Sequence, residues 1–142
     1  MDPEPERAPR TAQTAGTFPC PCCGYLVHDE GPGSYGICPI CGWEDDLVQL
    51  RWPTYEGGAN HLSLLAAQRR YLDAEPSPAS HAVTPHGIAR DVGWRPLDPA
   101  RDALPDPDRD RRPWPEDRTE LYWWRPDYLA AGPHERLRSD SA

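Results

Sequence analysis

The sequence contains no lysine: all 15 of its basic residues are arginine, set against 23 acidic residues for a net charge of −8. Cations that neutralise phosphates supply much of the affinity for nucleic acid, so a chain with this balance starts at a disadvantage there. Long apolar runs are missing too. No stretch approaches the roughly 20 apolar residues that span a bilayer, and residues 1–10 lack the basic start and apolar core of a secretory signal. These absences predict a cytoplasmic chain with no membrane partner. Mean hydropathy is −0.81 and 19 residues are proline, which together point to a modest core amid much irregular chain. A chain of 142 residues with that composition builds one small core, and a small core needs a staple such as a metal or disulfides.

What is present is proline, tryptophan and cysteine: 19, six and five residues respectively. Arginine without lysine, together with much Ala, Pro, Asp and Gly, reads as the codon bias of a GC-rich bacterial genome. In a reducing cytoplasm cysteines read as metal ligands before disulfides, and the odd count fits four ligands and one spare.

Residues 1–17 carry no apolar periodicity and read as a disordered tail. Residues 18–75 hold every cysteine, with short apolar stretches broken by Gly and Pro. Within them 25–27 and 35–37 read as the two strands of a hairpin joining the cysteine pairs, with His28 in its loop. The stretch 61–73 has helical spacing through Leu62, Leu65, Arg69 and Leu72, and Asn60 or Ser63 is placed to cap it. Residues 76–132 form an irregular Pro-, Arg- and Trp-rich arm. In it 105–113 reads as a solvated linker, and 120–129 as an aromatic segment that docks on the core. Residues 133–142 read as a polar tail.

The chemistry lies in Cys20-Pro-Cys-Cys23-Gly24 and Cys38-Pro-Ile-Cys41-Gly42. Two cysteines three residues apart can bend onto one tetrahedral ion with Zn–S bonds of about 2.3 Å. Proline fixes φ entering the turn, and glycine after the second cysteine permits φ > 0. Two such knuckles face to face make a closed four-sulfur site, predicting metal ligation by Cys20, Cys23, Cys38 and Cys41. Zinc, one ion per chain, is the expected metal. Iron is the alternative, because rubredoxin-type sites use the same turns. Cys22 is the spare: a reactive thiol on one reading, a knuckle-tip packing residue on the other.

CysProCysCysGlyTyr, then GlyProGlySerTyrGlyIleCysProIleCysGlyTrpGluAspAsp, then GlyGlyAlaAsn, resembles the bacterial cysteine-rich family named for its CPCC motif. The resemblance spans about 18–75. It implies metal binding and, through members near toxin–immunity gene clusters, an immunity-like form of protein contact.

Trp43, Glu44, Asp45 and Asp46 follow the second knuckle and form a candidate acidic contact surface; Trp123 and Trp124 are candidate partner anchors. No two of the five histidines have the i, i+4 spacing of a second zinc site, and no glycine-rich phosphate loop or nucleophile elbow occurs. The expected fold is a small metal-stabilised α+β domain: a zinc-ribbon β-hairpin, one following helix and an irregular C-terminal arm. The expected function is a non-enzymatic zinc-binding module that contacts another protein. The alternatives are a nucleic-acid-binding ribbon, and a thiol-redox or metal sensor using Cys22.

Overall fold

The computed structural model describes residues 16–74 and 87–129. The polar tail expected at 133–142, and most of the one at 1–17, lie outside the described residues. So do residue 75 and the stretches 76–86 and 130–132 of the arm.

Two short strands, β1 (Phe18–Pro19) and β2 (Leu26–His28), pair antiparallel with Phe18 opposite His28 and Pro19 opposite Leu26. They flank the first cysteine pair, which corrects the hairpin expected between 25–27 and 35–37. The reason is local. The Cys-x-x-Cys-Gly turn reverses the chain on its own, through Gly24 at φ +85° and its N–H donating to the Cys20 carbonyl at 2.6 Å. Residue 26 therefore returns beside residue 19, and His28 sits buried in β2 instead of in a loop.

The second pair repeats the arrangement eighteen residues later. Ile37 bridges Glu44 as Pro19 faces Leu26. Cys38 N–H donates to the Trp43 carbonyl at 2.9 Å, as Cys20 N–H does to that of Tyr25. Gly42 has the same φ of +85°, and its N–H donates to the Cys38 carbonyl at 2.9 Å. The architecture is thus two knuckle-tipped turns, two helices and an irregular arm, consistent with a metal-stabilised α+β fold.

Helix α1 (Leu47–Arg51), which the periodicity did not announce, begins where the Asp46 carboxylate accepts from the N–H groups of Val48 and Gln49. Helix α2 spans Leu64–Ala74, against the expected 61–73, because Ser63 Oγ accepts from Ala66 N–H at 3.1 Å and so fixes the start. Asn60 is committed elsewhere: its amide accepts from Glu44 N–H and donates to the Glu44 carbonyl, each at 2.9 Å, as a neighbouring strand would.

The arm packs on the first knuckle of the same chain. Arg90 bridges Tyr25, Leu26 N–H donates to the Ala89 carbonyl, and Asp91 N–H to that of Gly24. Trp94 lies against Gly24 so closely that a Cβ there would be 2.5 Å from its ring. Further on, the solvated linker expected at 105–113 is corrected at Asp110. Its side chain is 4 % exposed and pairs with the buried Arg51 at 3.3 Å. The Arg51 guanidinium also lies over the rings of Trp52 and Trp114. Burial alone would raise the Asp110 carboxyl; hydrogen bonds from Arg112 and the charges of Arg112 and Arg51 outweigh it and hold it at about 2. A 3₁₀ turn at Arg118–Leu121 then delivers Tyr122 and Trp123 into the core. Trp123 Nε1 donates to the Arg95 carbonyl at 2.9 Å, and Trp124 Nε1 to Asp91 at 2.8 Å.

Candidate metal centre

The two turns bring Cys20, Cys23, Cys38 and Cys41 together with all four sulfurs within 4.8 Å of one another. Cys20 Sγ lies 3.6 Å from Cys41 Sγ, and Cys23 Sγ 3.7 Å from Cys38 Sγ. A tetrahedron with Zn–S bonds of 2.3 Å has edges of about 3.8 Å, so the donor set fits a tetrahedral ion. Both close pairs join one knuckle to the other, and the site therefore clasps the two turns. Backbone N–H groups of Ile40 and Cys41 point at Cys38 Sγ from 3.3 and 3.5 Å, where they spread thiolate charge.

Exposure differs between the ligands. Cys20 and Cys23 are fully buried and Cys38 nearly so, whereas Cys41 is half-buried and faces a cavity. Proton affinity follows. Burial pushes the Cys20 and Cys23 thiols up. Hydrogen bonds donated by Cys20 and Cys23 lower Cys38, and those from Cys20, Cys22 and Cys23 lower Cys41.

Cys22 occupies the place in the first knuckle that Ile40 has in the second, and it is 2 % exposed. Its thiol hydrogen-bonds to the Cys41 sulfur, which together with burial pushes its pKa up. It stands outside the four-sulfur cluster.

The contact surface expected at 43–46 is largely interior. Trp43, Asp45 and Asp46 are 3, 2 and 4 % exposed, and only Glu44 is half-exposed. The carboxylates hold the backbone instead. Asp45 accepts from Ser34 N–H and Oγ at 3.2 and 2.8 Å, and Asp46, besides capping α1, accepts from Ala59 N–H at 2.7 Å. Trp123, 3 % exposed, is likewise core and not a partner anchor, while Trp124 is half-buried against it.

Sequence reasoning missed two buried glutamines. Gln68 donates to the carbonyls of Pro21 and Cys22 and accepts from Leu97 N–H at 2.6 Å, linking α2, the first knuckle and the arm. Gln49 donates to the Tyr55 and Leu62 carbonyls at 3.0 Å and accepts from Asn60. It also missed Arg90, whose Nε donates to the Cys23 carbonyl at 2.8 Å while its guanidinium stacks on Tyr25 and Trp94. In an arm already rich in Arg and Trp nothing local singled out Arg90, and the glutamines gave no signal beyond lying on helices.

No curated protein matches the chain. Residues 18–82, which carry all five cysteines and both helices, match the family model described as Cysteine-rich CPCC, and the match supports the kinship of this segment with that family.

Proposed function

We propose that the chain is a zinc-ribbon-like, non-enzymatic module of a bacterial cytoplasmic protein, in which one Zn²⁺ fixes the fold for contact with another protein. The observation that carries this reading is the closed four-sulfur shell, with cross-knuckle distances of 3.6 and 3.7 Å. Four thiolates fill a tetrahedral ion and leave no open position for substrate, the mark of a structural site. Bound there, the ion would supply folding free energy and not reactivity. Residues 16–60 carry one arginine, Arg51, and its charge is spent on Asp110, which weighs against phosphate binding by the knuckles. Among the described residues, no helix is long and apolar enough to cross a membrane.

Elemental analysis of the purified protein tests the metal: about one zinc per chain is expected, and stoichiometric iron would redirect the account to electron transfer. Crosslinking in cells followed by identification of the joined chains tests the contact. A recurring protein supports it; nucleic acid recovered in its place would overturn it.

A further inference from the structure

The two knuckles share sequence and hydrogen bonding but not their covers. Over the first, Trp94 lies on Gly24 and donates Nε1–H to the Pro21 carbonyl at 3.2 Å. Over the second, a Cβ on Gly42 would meet nothing within 4 Å. Gly42 opens instead into a cavity of about 440 Å³ between the second knuckle and α2, a volume in the range of ligand pockets.

The walls of that cavity suit a ring. Trp43, Leu62, Ala67 and Tyr71 line it, and Trp43, buried to 3 % exposure, has an indole N–H with no hydrogen-bond partner. The charge is distinctive too. In a chain of net −8, this lining contains no carboxylate, while the exposed His61 and Arg70 both border it. Among the described residues neither side chain is in an ion pair or hydrogen bond.

We propose that the cavity over Gly42 receives an aromatic side chain of a partner protein, presented beside a carboxylate, as Trp94 is received over Gly24. The repeat supplies the geometry of the seat, and Arg70 the charge that selects an acidic neighbour. This deepens the protein-contact reading by naming the chemistry of the contact and rests on it. The cavity can fail this test while crosslinking still finds a partner elsewhere on the surface.

The test is backbone and indole NMR of the metal-loaded chain titrated with N-acetyltryptophan, which carries both ring and carboxylate. Saturable shifts centred on Gly42, the Trp43 indole and Ala67 are expected in the millimolar range, as for a fragment this small. N-acetyltryptophanamide, lacking the charge, should bind about threefold more weakly, and so should Arg70→Glu with the charged probe, as fits exposed ion pairs. Ala67→Trp, which fills the cavity, should weaken binding about tenfold or more while leaving the amides of β2 (Leu26–His28), which lie outside the lining, unshifted. Absence of saturable shifts, equal binding by the cavity-filled variant, or shifts that track self-association of the chain would each overturn the proposal. Equal binding of the amide would overturn its acidic half.

Discussion

The first and second knuckles are the same device in two settings. Each has Cys-Pro-x-Cys-Gly followed by an aromatic residue, a glycine at φ +85° and the same pair of closing hydrogen bonds. The first is roofed by the arm. Ala89 and Asp91 bond its edge, Trp94 covers its glycine, Arg90 holds the Cys23 carbonyl, and Gln68 reaches beneath it. The second is edged by one side-chain amide, Asn60, and its glycine faces open space. Ile37 beside it is 67 % exposed. The difference shows that four sulfurs specify the turns, while what lies over each turn is decided by chain far away in sequence. Among the described residues one knuckle is roofed by the arm and the other is left open at its glycine.

The comparison breaks most completely on removal of the metal. Structural zinc contributes on the order of 10–16 kcal/mol in small zinc modules, as much as the whole stability of a typical domain, about 5–15 kcal/mol. Chelation should therefore unfold both knuckles and release the arm together, seen as loss of near-ultraviolet circular dichroism from the buried tryptophans. Survival of the arm's signal after chelation would show that the first knuckle stands without the ion.

Trp94→Ala comes next. Truncating a large aromatic in a packed site costs about 3–5 kcal/mol, and the loss should fall on the first knuckle, read as faster amide exchange at Cys23 and Tyr25 than at Cys41 and Trp43. Equal acceleration at both knuckles would mean that the roof is a general part of the core.

The two glycines sharpen the contrast further. Alanine at Gly42 carries only the left-handed backbone penalty, about 1 kcal/mol. At Gly24 it also collides with the Trp94 ring, 2.5 Å away, and the overpacking brings the cost to about 3 kcal/mol. Denaturant melts of the two variants measure the gap; equal costs would deny the asymmetry of cover.

Proton linkage gives the smallest effect. The metal-free first knuckle holds its protons because burial raises Cys20 and Cys23, whereas Cys38 and Cys41 are lowered. Metal uptake at neutral pH must displace the bound protons, so affinity falls as pH falls and is fully expressed only where all four thiols have ionised. Calorimetry in buffers of different ionisation enthalpy should show net proton release. A buffer-independent heat would contradict the assignment of protons to the buried pair.

The parts of this arrangement that were readable from sequence are the ones encoded by adjacent residues. Cys-Pro-x-Cys-Gly states its own turn, and Gly24 and Gly42 adopt the positive φ that the pattern requires. Helix α2 announces itself through spacing, and its first turn moved only because Ser63, not Asn60, makes the cap. Strand pairing was misassigned because alternation in 25–27 names a strand without naming its partner. Helix α1 is five residues long, shorter than any window in which helical periodicity shows. The acidic run 44–46 looked like a surface because carboxylates usually are one. Asp45 and Asp46 are interior because Ser34, Val48, Gln49 and Ala59 supply N–H and O–H donors from elsewhere. The arm's docking rests on Arg90, Trp94, Asp110 and Trp123, whose partners lie dozens of residues away; no local pattern carries that information.

The most direct test of the central claim is metal content by inductively coupled plasma mass spectrometry on the untagged chain, with Cys38→Ser and Cys22→Ser beside it. One zinc per chain in the parent and in Cys22→Ser, with none in Cys38→Ser, is the result this account predicts. A parent without stoichiometric metal, or a Cys22→Ser variant that loses it, would contradict the assignment of Cys20, Cys23, Cys38 and Cys41 as the ligand set.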